Sequence, residues 1–231
     1  MTHGSPIGHR RQQRAYRPLV SDPSLFLEFA KLSAQEDEII WFANRYGLLA
    51  GETAFKTEER NLGIYGDLLT TWKNEISRMH ETVNMWELVR ANSPELARFI
   101  KWHKDRVTYR LPFRGGVLAA ADYRAHWLKR WKYGETRGPA LMVIQTEINE
   151  HLSKDVAARI LWNASGTALD PYFVPRTLLG AIWLQFARAL VVPKKYRSCE
   201  VCGKVMEIST DPHSPLAKRA DALICGDRCR S

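Results

Sequence analysis

The longest regular pattern in the chain lies between residues 62 and 86. Leu62, Tyr65, Leu69, Trp72, Ile76, Met79, Val83 and Trp86 recur at alternating spacings of three and four. That rhythm places every apolar side chain on one stripe of a helix. Gly66 frays its start and Asn92-Ser93-Pro94 closes it, so the pattern predicts a helix over 67–91. Trp and Tyr fit poorly in a two-stranded coiled-coil seam. The stripe is therefore read as packing against the chain's own core, with the oligomeric state left open.

The flanking segments carry shorter signals. Residues 23–49 predict two short helices, with Ser33 capping the second and Glu36 completing a capping box. Ile39, Ile40, Ala43 and Gly47 share one stripe of it, and glycines at 47, 51, 63 and 66 interrupt the pattern beyond. Ser33's counterpart downstream is Ser93, with Pro94 at the first position of a helix expected to reach 106. Val107, Tyr109 and Leu111 alternate with polar residues, which predicts a strand ending at Pro112. Gly115-Gly116 then turns the chain into a second strand over 117–121. Residues 122–133 and 139–152 suit helices, 159–163 a strand, and Ser165-Gly166 a turn. Pro175 opens a last helix over 175–191 that is apolar nearly all round, the mark of a buried central helix. With Gln185 and Arg188 inside it, that stretch is too short and too polar to span a membrane. The expected architecture is mainly α: a multi-helical domain over 19–193 with a small β element, followed by a separate module over 194–231.

Composition adds limits. The chain has 231 residues, 45% hydrophobic and 26% charged, which excludes a collagen-like or wholly disordered protein. Residues 1–18 lack the apolar run of a secretory signal, so a cytoplasmic location and no membrane partner are expected. Charge matters more by position than by its total of +9. Residues 1–18 carry four arginines and no acid, which describes a basic arm expected to be disordered. Residues 19–97 carry 7 basic and 13 acidic groups, whereas 98–137 carry 11 basic and 3 acidic. This basic belt interleaves Phe99, Trp102, Tyr109, Phe113, Tyr123, Trp127, Trp131 and Tyr133 with its cations. Cations neutralise phosphates and aromatic faces stack on unpaired bases, so the belt is a candidate nucleic-acid surface. The opposing reading is that the aromatics are core and the cations face water or pair with the acidic half.

The chemistry concentrates in the last 33 residues, which hold all four cysteines. Cys199-Glu200-Val201-Cys202-Gly203 is a C-x2-C-G knuckle, in which Gly203 permits the positive φ of a tight turn. Cys225 and Cys229 lie four apart, one helical turn on one face. Four thiolates close a tetrahedral zinc site with no position open for water, so one structural Zn²⁺ is expected on Cys199, Cys202, Cys225 and Cys229. Disulfides, the alternative, suit secreted chains.

The knuckle, the loop and Ile224-Cys225-Gly226-Asp227-Arg228-Cys229-Arg230 resemble a treble-clef zinc finger. The resemblance extends to the small gyrase-binding zinc proteins and to the zinc module of the bacterial CGNR regulators. It covers about 196–231 and implies a DNA-associated bacterial regulator. The CGNR pattern places Gly-Asn-Arg after its last cysteine, whereas here Gly226-Asp227-Arg228 lies between the final two. The run Leu179-Gly180-Ala181-Ile182-Trp183 before the knuckle is similar to bacterial proteins with no assigned activity.

No catalytic constellation emerges. Phosphate-binding loops, a nucleophile elbow and zinc-protease histidine pairs are absent from the sequence. Glu147, Glu150 and His151 share a helix without such spacing, and the cysteines serve a metal. The expected function is a zinc-finger nucleic-acid-binding protein. Lys101, Lys104, Arg110, Arg114, Lys129, Arg130, Lys132, Lys218 and Arg219 are its candidate phosphate contacts. The alternative is a protein-interaction adaptor whose finger is a structural or docking module. Metallation tempers the first reading, because four thiolates and one Zn²⁺ bring the finger from +3 to about +1.

Overall fold

The computed structural model describes residues 22, 24–50, 54–56, 63–65, 67–103, 106–111, 116–119, 131–191, 195–209, 218–219 and 221–230. Among the described residues five α-helices build the body: α1 (Leu25–Ala30), α2 (Glu36–Tyr46), α3 (Leu69–Arg90), α4 (Arg137–Asp155) and α5 (Leu178–Val191). α5 lies at the centre, against α4 on one side and α1 on the other, while α3 packs on both α1 and α4. Trp183, Phe186 and Ile182 of α5 are wholly buried, as expected for an all-apolar helix. Trp72, Ile76, Met79, Val83 and Trp86 of α3 face the same core, so the stripe packs within the chain. α3 starts at Leu69; Tyr65 of the stripe belongs to a strand, and Leu62 lies outside the described residues. An aromatic cluster fills the centre, with Phe26 stacked on Phe186 and edge-on to Trp86 and Tyr196.

The expectation of a mainly α chain is overturned. Ten strands among the described residues form four small sheets, so the architecture mixes α and β. β1 (Ala54–Lys56) and β2 (Gly63–Tyr65) pair as antiparallel strands where the glycines had suggested only a break. Beyond α3 the cap at Ser93 is real, since its hydroxyl accepts from the Glu95 N–H at 3.2 Å. The helix it starts is one short 3₁₀ element, Pro94–Arg98, and the chain then enters β3 (Ile100–Trp102). Alternation decided that: Ile100 is buried, Lys101 exposed and Trp102 half-buried, a period of two. β3 pairs with β4 (Val107–Leu111), and β4 with β5 (Gly116–Ala119), so both strands expected from the alternation are present. The helix expected over 122–133 lies outside the described residues except for 131–133, which are not helical.

Ser33 does not cap α2. The N-cap is Gln35, and the Glu38 carboxylate accepts from the Ser33 N–H at 2.8 Å. The strand expected at 159–163 is longer, β6 (Val156–Trp162), and pairs with a partner that the sequence pattern did not announce, β7 (Leu169–Pro175). Pro175 therefore ends a strand rather than opening α5. Thr177 does that work, its hydroxyl accepting from the Gly180 N–H at 3.0 Å and donating to Asp155 at 3.2 Å. Gly180 allows the junction to close, because a Cβ there would lie 2.5 Å from the Asp155 carbonyl oxygen.

Candidate metal centre

The last sheet has the order β10–β9–β8, built from β8 (Lys195–Ser198), β9 (Val205–Ser209) and β10 (Lys218–Arg219). β8 and β9 are antiparallel, and the knuckle is their connection. Gly203 sits at φ +69°, and its N–H donates to the Cys199 carbonyl at 2.9 Å. Cys199 donates its own N–H to the Lys204 carbonyl at 2.9 Å, closing the turn. The second pair is brought alongside by the Glu200 N–H, which donates to the Leu223 carbonyl at 3.0 Å. Arg197 adds a bond to the Ala222 carbonyl at 3.2 Å. A 3₁₀ turn, Asp227–Cys229, then swings Cys229 back, a shorter element than the helical turn the spacing implied.

All four sulfurs lie within 4.8 Å of one another. Cys202 and Cys225 are 3.5 Å apart, and Cys225 and Cys229 are 3.6 Å apart. A tetrahedron with metal–sulfur bonds of about 2.3 Å has edges of about 3.8 Å, so the cluster has the size of one four-sulfur metal site. None of the four is in a disulfide. Cys199 is buried, Cys225 and Cys229 half-buried, and Cys202 exposed. The N–H groups converge on Cys199, where the Cys202 amide above all pulls the thiol down to about 6. Cys229 is pushed up to about 12, chiefly by hydrogen bonds with its Cys202 and Cys225 neighbours. Burial raises Cys225. A metal ion taking all four sulfurs must displace the protons that these raised thiols hold.

The fixed scaffold beneath this centre was invisible in the sequence. Lys204 forms an ion pair with Asp22, and the Ser24 hydroxyl donates to the Val205 carbonyl at 2.6 Å. Val205 belongs to the same apolar cluster as α1, α3 and α5. No signal in the local sequence marks pairs about 180 residues apart.

No protein-family model, no curated protein and no solved structure matches the chain.

Of the nine candidate phosphate contacts, Lys101, Arg110, Lys132, Lys218 and Arg219 are described, and all five are exposed. Lys104, Arg114, Lys129 and Arg130 lie outside the described residues, as does the basic arm. β3 and β4 set Lys101 opposite Thr108, so Lys101, Thr108 and Arg110 share the outer face of their sheet. Ile100, Val107 and Tyr109 occupy the buried inner face. Arg219 lies 3.5 Å from Asp221, whereas Lys101, Arg110, Lys132 and Lys218 form no ion pair among the described residues.

Another cluster gathers Glu75 and Arg78 of α3 with Glu147, Glu150 and His151 of α4. Arg78 reaches Glu147 at 2.8 Å and Glu150 at 3.0 Å, while His151 Nε2 lies 2.9 Å from Glu75. The His151 ring stacks on Trp183 at 4.0 Å. The cavities beside Trp131 and beside Trp86 are lined by none of these five residues. The cluster is a partly buried strut between helices, with Glu147 and His151 its buried members. No helix among the described residues is long and apolar enough to cross a membrane.

Proposed function

We propose that the chain is a zinc-finger nucleic-acid-binding protein. In this reading one structural Zn²⁺ on Cys199, Cys202, Cys225 and Cys229 holds a treble-clef module, and the sheet β3–β5 presents cations to phosphate. The observation that carries it is the outer face of that sheet, where Lys101 and Arg110 stand exposed with no acidic partner among the described residues. The opposing reading has these groups facing water or pairing with the acidic residues of 19–97, and neither side chain makes such a pair among the described residues. Lys132, Lys218 and Arg219 extend the set, as do Lys104, Arg114, Lys129 and Arg130 of the same basic belt. Among the described residues the cluster offers four sulfurs and no oxygen or imidazole, a set that favours a soft or borderline ion and suits zinc in a closed tetrahedron.

The test is a salt titration of binding to duplex and single-stranded DNA, on protein shown by metal analysis to carry one zinc. Wild type should lose affinity steeply between low and moderate salt. Lys101→Ala with Arg110→Ala and Lys132→Ala should flatten the log–log slope by about 0.9 per lost contact on duplex. Folding should change little, because exposed charges contribute little to stability. An unchanged slope would overturn the reading.

One observation favours a second reading, a protein-interaction adaptor. Val201 and Leu223 are large apolar residues exposed beside the knuckle. If the finger docks a protein through them, its binding should tolerate salt and fail on Val201→Asp.

A further inference from the structure

We propose that the β6–β7 hairpin is the surface through which two copies of this chain associate. The register places Val156, Ala158, Ile160 and Trp162 opposite Pro175, Phe173, Pro171 and Leu169. Side chains alternate between faces, so these eight residues form one face with no polar group on it. Ile160 is 65% exposed, Trp162 66%, Leu169 56% and Phe173 60%. The other face adds Leu161, Tyr172 and Val174, also exposed. Weighted by typical side-chain areas, the four large groups of the first face alone leave on the order of 600 Å² in water per copy. That stands at the top of the range for the largest patch on a monomer and at the lower bound of one partner's share of a specific interface. A two-stranded hairpin standing alone is also marginal in water.

Charge selects a second copy as the occupant. The chain carries +9, so copies repel over most of their surface. Residues 156–175 carry only Arg159 and Asp170, a neutral segment where approach is not opposed. The same neutrality makes the hairpin a poor phosphate ligand.

The edges favour a closed pair over open-ended strand addition. The Asn163 N–H donates to the Ala168 carbonyl at 2.9 Å, which fixes the alternation of hydrogen bonds along the hairpin. Leu169, Pro171, Phe173 and Pro175 then have their backbone nitrogens turned outward, and two of the four are prolines with no N–H. A further strand gains little purchase on β7.

Sedimentation equilibrium of the zinc-loaded full chain, without nucleic acid, tests this over about 1 to 200 µM. Wild type should show a monomer–dimer equilibrium. Trp162→Ser with Phe173→Ser should weaken it at least tenfold while leaving helix content and the melting temperature of dilute protein unchanged. Should the pair fail to fold, Ile160→Lys alone supplies the same comparison. A wild type that stays monomeric at the highest concentration overturns the proposal, as do open-ended assembly, a variant that dimerises undiminished, or a monomer that binds vesicles of neutral phosphatidylcholine. DNA binding enters none of these readouts.

Discussion

Tyr196 illustrates what a single atom does here. Its ring packs edge-on to Phe26 in the core, and its hydroxyl is buried with no hydrogen-bond partner among the described residues. Burial, with Glu207 nearby, raises its pKa. In the unfolded chain the phenol ionises first as pH climbs past about 10. The tyrosine's contribution is therefore complete below that pH and lost above it. Tyr196→Phe should be neutral or stabilising by up to about 1 kcal/mol, since it removes an unsatisfied polar group. Alkaline melting curves should also lose part of their downward slope, though Tyr46, raised by burial and Glu28, keeps a share. A clear loss of stability at neutral pH would show that the hydroxyl has a partner.

The thiols lead to a metal prediction of opposite sign. Each ligand must shed its proton, so affinity should fall as pH drops, with Cys199 holding its charge down to about 6. Competition with a chromophoric chelator from mildly acidic to mildly alkaline pH measures this directly, and a flat profile would contradict it. Cys225→Ser should abolish tight binding while far-UV dichroism keeps the signal of the five helices. The cysteines were legible in the sequence because their chemistry is carried by spacing. The supports Lys204–Asp22 and Ser24–Val205 were not, because a contact across the fold leaves no local trace.

At the scale of elements, α5 and its entry turn make contrasting predictions. Trp183 is wholly buried, so Trp183→Ala should cost about 3–5 kcal/mol by emptying a large site and removing the stacking surface of His151. Gly180→Ala adds one methyl group, yet it should cost about 1–3 kcal/mol because that methyl meets the Asp155 backbone. Urea melts resolve both, and a harmless Gly180→Ala would mean that the β7–α5 junction can open. The helices with strong stripes were readable, α3 and α5 above all. The strands were readable where side chains alternate, as at Val107, Tyr109 and Leu111. β7 escaped because Leu169, Pro171 and Phe173 do not look like a strand until β6 stands beside them. The same blindness turned residues 94–106 into one helix, since a genuine cap at Ser93 says where a helix starts and not how soon it stops.

For the whole molecule, distance along the chain is the telling quantity. α1 rests on β8 and β9: Phe26 on Tyr196, Ser24 on Val205, and Asp22 on Lys204, with the last two pairs separated by 181 and 182 residues. A growing chain emits α1 early, and the last of its cover, Tyr196 over Phe26, arrives only with β8 and β9. Contacts so far apart in sequence form late and slowly. Nascent chains arrested at increasing lengths should stay open to protease at α1 until about residue 209 has left the exit tunnel, and become resistant within a few residues of it. Until that moment the Phe26 ring keeps an apolar face of the kind that chaperones hold. The strand pair that carries the metal knuckle is thus also the latch that ends the chain's exposure during its own synthesis.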